Sequence, residues 1–266
     1  MKMIDEADFD YAKFGYNETK KNGIVISSLN VSQEDNRLGF KKGLYKIVSC
    51  EDLYLSSMDR LDDITNQIVE QMRQLLEYLK CTTQNTVLVC GLGNKEIISD
   101  SLGENVCKKI LSTRLFKSPI IQSRVCTLVP NVQSVTGIKT FDIVSGVAKN
   151  INAKLVILID SLLTNNIKRV GHSFQISSCG IVPGGAIKNN KEISYQTMGI
   201  KCITIGVPFM LDLKHLSKKI KKNIIVAPKD INQMINLCSK IIADGINLLF
   251  NPNLKPTEIK ELLNPF

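Results

Sequence analysis

The chain has 266 residues, of which 44% are hydrophobic and 22% charged, and its formal net charge is +9 at pH 7. These values predict one sizeable globular domain and exclude a chain too polar to bury a core. No apolar run reaches the roughly 18 residues of a membrane span, so we expect no membrane partner. The first 22 residues are polar and partly acidic, which is unlike a secretory signal and predicts a cytoplasmic protein.

The eight cysteines indicate a reducing compartment. None belongs to a Cys-x-x-Cys pair, and several lie inside apolar runs, where free cysteine behaves as a small buried hydrophobe. The basic excess suits an acidic partner. The densest basic run, residues 214–222, has no interleaved aromatic side chains, so we do not expect direct nucleic-acid binding.

A polar N-terminal arm is predicted over residues 1–22. Strands are predicted over residues 23–31 and 43–50, where β-branched and apolar side chains lie between turn signals. A long helix is predicted over residues 56–80, because apolar residues recur there at steps of three or four. Ser57 can cap its start.

Two short, nearly continuous apolar runs follow, at residues 86–90 and 154–160. Such runs are typical of strands in a parallel sheet that is covered on both faces. Further helices are predicted over residues 101–116, 140–151 and 229–250, and further strands over residues 124–130, 172–178 and 201–208. This alternation predicts an α/β fold with three layers, a mostly parallel twisted sheet flanked by helices, in a single domain over residues 23–266.

The apolar run at 86–90 leads into a glycine turn that does not fit a nucleotide site. Gly91 and Gly93 match the first two glycines of the dinucleotide fingerprint, but the third position is Glu96. The Gly-Lys-Ser/Thr of a P-loop is missing as well. What remains is a strand, a tight turn and a loop that leads to Asp100.

Asp100 and Asp160 each follow a predicted parallel strand, and the carboxyl ends of such strands share one edge of the sheet. Two acids brought together there repel when both are ionised, so one tends to keep its proton. One group can then activate water while the other protonates a leaving nitrogen, which suits amide hydrolysis. The alternatives are a helix cap for Asp100, beside a capping box of Ser101 and Glu104, and a turn-initiating role for Asp160.

Other chemistries have weaker signals. His172 and His215 show no metal-ligand spacing, so we expect no metal and no cofactor. A Gly-x-Ser-x-Gly elbow for a serine nucleophile is missing, and none of the cysteines has a catalytic signature around it.

Six segments occur in a recognisable order over about residues 85–250. They are GLGN with DSLG, TRLF, LVPNVQSVTGIKTFDIVSGV, LVILIDSLL, FQISSCGIVPGGAIKNNKEISYQTMGI and CITIGVP. In this order the chain resembles the germination protease, or spore protease, family of spore-forming bacteria.

The resemblance implies a cytoplasmic endopeptidase of the spore core that degrades small acid-soluble spore proteins during germination. It implies an atypical aspartic-type peptidase, made as a zymogen and assembled as a homotetramer, with residues 1–22 as a candidate pro-segment. The family's two proposed catalytic aspartates fall on Asp100 and Asp160. The implied fold is the phosphorylase/hydrolase-like one of the hydrogenase-maturation endopeptidases, in which matching carboxylates and a histidine hold a metal.

Glycine-rich stretches near the two acids are candidate walls of a substrate cleft: Gly91, Gly93 and Asn94 in the first loop, and Gly184 and Gly185 in the segment 181–190. The alternative for the second segment is a plain surface loop.

The chain departs from the family pattern at residues 95–99, which replace a Trp-Asn-Val-Thr-Pro segment, and in its arm, which lacks the family's processing motif. Two alternative functions follow: a metal-dependent maturation-type peptidase with His172 as third ligand, or a catalytically silent protein that binds spore proteins or DNA.

Overall fold

Strands and helices alternate through the middle of the chain in the computed structural model, which describes residues 16–32, 40–184, 191–215 and 224–263. The strands are β1 (Asn17–Lys21), β2 (Ile24–Val31), β3 (Gly43–Ser49), β4 (Thr86–Gly91), β5 (Arg124–Leu128), β6 (Leu155–Thr164), β7 (Ser173–Ser177), β8 (Lys201–Asp212) and β9 (Ile225–Val226). The helices are α1 (Met58–Leu79), α2 (Leu102–Cys107), α3 (Gln133–Thr136), α4 (Thr140–Asn150), α5 (Tyr195–Met198), α6 (Ile231–Phe250) and α7 (Pro256–Leu263).

The strands form one mixed sheet in the order β1-β2-β3-β7-β8-β6-β4-β5, and β9 pairs with β8. Strands β8, β6, β4 and β5 run parallel to one another. Strands β1, β2, β3 and β7 continue the sheet beyond β8, and each of them pairs with its neighbours in antiparallel orientation. The parallel part holds the two longest strands and both predicted apolar runs.

Helices cover both faces of the sheet, so the predicted three-layer α/β class is confirmed. On one face α1, α2 and α6 bury their apolar side chains against alternate residues of the central strands, such as Ile157 and Ile203. On the other face α4 packs against the remaining residues, such as Val156 and Leu158. This second face is the one from which Asp160 projects, because side chains two residues apart in a strand point the same way.

Helix α1 forms as its sequence predicts. Ile64, Ile68 and Met72 lie on its buried stripe, and the hydroxyl of Ser57 accepts a hydrogen bond from the N–H of Arg60. Helix α6 is continuous, although an interruption near Gly245 could be expected. Gly245 lies against Ile68 of α1, so the glycine lets the two helices approach.

The helix predicted over residues 101–116 is much shorter, because the backbone N–H groups of Leu111 and Thr113 find partners in distant parts of the chain. The N–H of Leu111 donates to Oδ1 of Asn247 in α6, at 2.9 Å. The N–H of Thr113 donates to the carbonyl of Val125 in β5, also at 2.9 Å. These long-range bonds compete with the helical ones, and no local sequence pattern shows them.

The end of the predicted arm forms β1, and residues 1–15 lie outside the described ranges. All eight cysteines are free thiols and six of them are buried, as their apolar surroundings predict. Within the ranges that the structure describes, no helix is both long enough and apolar enough to cross a bilayer.

Candidate active site

Asp160 lies inside β6 and not at its end. The prediction that the strand stops at Asp160 is wrong, because β8 continues to pair with β6 as far as Thr164. On its other side, however, β4 ends at Gly91, which lies opposite Ile159. Asp160 is therefore the first residue of β6 beyond the end of β4, and it lies at that edge of the parallel strands.

Asp100 reaches the same edge from the loop after β4. It lies in the 3-10 turn Ile98–Asp100, and this turn packs against β6, β8 and α6. The backbone N–H of Asn94 donates to Oδ2 of Asp100 at 2.6 Å, so the carboxylate is tied to the start of the loop. The N–H of Leu92 donates to the carbonyl of Ile159 at 2.8 Å and ties the loop to β6.

The glycines of this loop position the acid. Gly93 has a φ of +102°, and a Cβ there would collide with the backbone carbonyl of Asp100. A Cβ on Gly91 would collide with the backbone of Gly103 in α2. Both glycines therefore permit close backbone contacts around Asp100, a role that a phosphate cradle does not require.

The predicted capping box at the start of α2 is not formed, and Asp100 is not the helix cap. The hydroxyl of Ser101 donates to the carbonyl of Ile98 at 2.8 Å. Glu104 turns away and forms an ion pair of 3.0 Å with Lys108. The carboxylate of Asp100 accepts from Asn94, which precedes it in the chain.

Burial raises the pKa of both acids, and the charge of Asp100 raises that of Asp160 further. Burial, and after it the negative charge of Asp100, raise the pKa of Asp160 to about 7, although the N–H of Ser161 opposes the rise. Burial also raises the pKa of Asp100, while the N–H of Asn94 opposes that rise. The two carboxyls thus lie within range of direct electrostatic interaction, and at neutral pH the pair tends to hold one proton.

Gln175 is a polar residue of this face that no sequence pattern indicates. In the sheet register it lies opposite Gly206, and Gly206 lies opposite Asp160, so the three residues form one row. Gln175 is 4% exposed, and its buried Nε2 has no hydrogen-bond partner in the part of the chain that the structure describes. Buried amides without a partner are uncommon in proteins, and some of them are donors that serve a ligand or a reaction. Only the register of β7, which is not legible in local sequence, could have revealed this residue.

The base of the second glycine segment lies on the same face as Asp160. Ile181 and Ile193 pair through backbone hydrogen bonds and pack in the cluster that contains Leu162. Gly184 has a φ of +59°. Gly185 lies outside the described residues, so the predicted role of this segment as a cleft wall remains a prediction.

His172 does not join the two acids as a metal ligand. Its Nδ1 lies 3.2 Å from the carbonyl of Cys50, and its ring packs edge-on against Tyr54. In the described part of the chain, no three His, Cys, Asp or Glu side chains are grouped so that they could hold a metal.

Comparison with known proteins gives one consistent family. A family model described as germination protease matches residues 2–218. The germination protease of Clostridium acetobutylicum is 28% identical over 91% of this chain and 89% of its own length. The germination protease of Priestia megaterium is 32% identical over 77% of this chain and 61% of its own length.

Among solved structures, a [NiFe] hydrogenase maturation protease, HycI from Thermococcus kodakarensis, aligns with 61% of this chain and 92% of its own. The TM-score is 0.34 and the sequence identity 16%, so this likeness carries no inference about function.

Proposed function

Because the chain belongs to the germination protease family and is thus a peptidase of spore germination, we propose that it hydrolyses small acid-soluble spore proteins with Asp100 and Asp160. The observation that carries the proposal is that a half-buried carboxyl, Asp100, and a buried one, Asp160, lie at one edge of the sheet. The family supports the peptidase, and the coupled acids support water attack without a nucleophilic side chain.

The environments of the two acids suggest their roles. Asp160 is the more deeply buried, so near neutral pH it keeps a proton that it can give to the leaving nitrogen. Asp100 accepts a backbone N–H and holds the negative charge, so it is the base that takes a proton from the attacking water. The water's oxygen then bonds to the scissile carbonyl carbon, and the C–N bond breaks as Asp160 protonates the nitrogen.

Gln175 completes the arrangement in this proposal. Its Nε2 can donate to the scissile carbonyl oxygen, where negative charge develops as water attacks. Its place in one row with Gly206 and Asp160, two strands from Asp160, supports this role. The side chain of Leu162 lies over Gly206 in this row.

The family resemblance extends the proposal to the setting of the reaction. The enzyme is expected to act in the cytoplasm of the spore as a homotetramer. The donor set near Asp100 and Asp160 lacks a third ligand among the described residues, so no step is assigned to a metal.

The test is cleavage of a small acid-soluble spore protein by the full-length chain, read by mass spectrometry. Asp100→Asn and Asp160→Asn should each lower kcat by about 10²–10⁴-fold, because each removes one partner of the proton transfer. Asp142→Asn, a change to an exposed acid in the first turn of α4, is the matched control and should cleave normally.

Full activity of either variant would refute the carboxylate mechanism. Tight binding of the spore protein without cleavage by the unaltered chain would instead indicate a catalytically silent binding protein.

A further inference from the structure

A cavity of about 310 Å³ opens on the same face of the sheet as Asp160. Its floor comes from the antiparallel strands β1, β2, β3 and β7, and its wall comes from the connection between β6 and β7 and from the start of α1. The cationic and hydroxyl side chains that line it are Lys20, Ser49, Arg60, Lys168, Arg169 and Ser173.

The interior of this cavity is cationic, although three acids also line it. Arg169 is 6% exposed, and the hydroxyls of Ser49 and Ser173 lie 3.0 Å apart. Of the acids, Glu51 is exposed, the side chain of Asp52 is 68% exposed, and Glu18 accepts from the hydroxyls of Tyr16 and Ser27. The charged groups inside the cavity are therefore the buried Arg169 and the half-buried Arg60, whereas Lys20, Lys168 and the three acids are exposed at its rim.

The guanidinium of Arg60 has N–H donors that the described residues do not use. Among the described residues its buried Nε has no hydrogen-bond partner, and its Nη2 contacts the Sγ of Cys50 at 3.4 Å and Asp52 at 3.9 Å. Gly23, with a φ of +71°, makes room for the guanidinium, since a Cβ there would collide with it. A guanidinium has five N–H donors in a planar fork that fits a carboxylate.

The sheet register connects the cavity with the acid pair. One row across the face runs from Ile47 through Gln175 and Gly206 to Asp160. Ser49 and Ser173 face each other two residues from this row, after Ile47 in β3 and before Gln175 in β7. With strands about 4.8 Å apart, the cavity lies about 10 to 20 Å from Asp160. An extended peptide covers that span with about three to six residues.

From this juxtaposition we propose that the cavity is an anion subsite for the substrate, which takes the carboxylate of an acidic residue about three to six positions from the scissile bond. The proposal rests on the proposed function for the polypeptide that occupies the face. The subsite contributes mainly to binding, because its groups lie too far from Asp160 to contact the reacting atoms.

The test measures affinity separately from cleavage. A fluorescent peptide that spans the cleaved bond of a small acid-soluble spore protein, with that bond replaced by a non-cleavable reduced amide, is titrated with the full-length chain. Each Glu and Asp of the peptide is replaced in turn by Gln or Asn. We expect one such replacement, three to six residues from the bond, to weaken binding about tenfold, because it removes a charge-assisted hydrogen bond. The double variant Arg60→Gln, Lys168→Gln should bind about tenfold more weakly and should no longer distinguish that replacement.

The matched control is Arg73→Gln, Lys149→Gln, which removes the same two residue types from exposed positions on α1 and α4 and should bind normally. The subsite is refuted if the Arg60 and Lys168 variant binds the acidic peptide as tightly as the unaltered chain. It is also refuted if inorganic phosphate binds in a way that depends on Arg60 while no acidic position of the peptide matters. Because affinity is read without turnover, failure of the Asp100 and Asp160 variants to lose activity would refute only the catalytic mechanism.

Discussion

Asp160 is a buried carboxyl, and its burial lowers the free energy of unfolding when the group is ionised. It is 9% exposed, and its pKa rises to about 7 by burial and by the charge of Asp100. An acid whose pKa is raised by folding stabilises the fold in its protonated form. That contribution is complete below the pKa of the unfolded chain, about 4, and is lost as the pH rises towards 7.

Asp160→Asn should therefore stabilise the protein at neutral and alkaline pH. We expect the free energy of unfolding to rise by up to roughly 4 kcal/mol at pH 8, with little change near pH 4, because the amide cannot ionise. Urea unfolding of both proteins between pH 4 and pH 8 measures the difference. An equal difference at all pH values would mean that the ionisation of Asp160 is not its cause.

The coupling of the two acids predicts a bell-shaped dependence of kcat on pH. Activity should fall above about pH 7 as Asp160 loses its proton, and it should fall in acid as Asp100 gains one. In Asp100→Asn the pKa of Asp160 should move down, because the neighbouring charge is gone. Carbon NMR titration of labelled aspartate carboxyls checks this shift, and an unchanged pKa would show that the two groups do not interact.

At the scale of the elements, two helical glycines differ in whether a side chain at their position would collide with a neighbouring segment. A Cβ on Gly103 of α2 would collide with the backbone of Leu92, whereas Gly146 of α4 is exposed and has open space around it. Gly103→Ala should lower the free energy of unfolding by about 1–3 kcal/mol through overpacking. Gly146→Ala should raise it by about 0.5–1 kcal/mol, because alanine favours the helix. Urea unfolding of both variants decides, and equal effects would contradict the packing described for α2.

Elements with a complete local pattern were predictable, whereas the C-terminal ends of α2 and β6 were not. The stripe and Ser57 cap of α1 are fully legible in its sequence. The early end of α2 depends on Asn247, which lies far along the chain, and the continuation of β6 past Asp160 depends on its pairing with β8. Long-range hydrogen bonds decide both boundaries, and apolar periodicity does not report them.

For the whole molecule, the convergence of Asp100 and Asp160 could be anticipated because parallel strands end at a common edge. Gln175 and the cationic cavity could not, because both depend on the order of six strands and on their antiparallel register. Apolar runs in the sequence thus predict the parallel strands of the sheet. The antiparallel half, which carries the proposed anion subsite, is not, because its strands are short and their pairing joins distant parts of the chain.

Two neighbouring strands of the sheet, β7 and β8, are joined by a long connection. A tight hairpin could join these antiparallel strands, yet the connection comprises residues 178–200. Backbone pairing of Ile181 with Ile193 holds the two ends of this connection together. A change in the number of residues between Ile181 and Ile193 should leave the pairing of both strands intact. The entropy of loop closure changes only slowly with loop length. Selection can therefore change the length of the connection between Ile181 and Ile193 with little effect on the stability of the sheet.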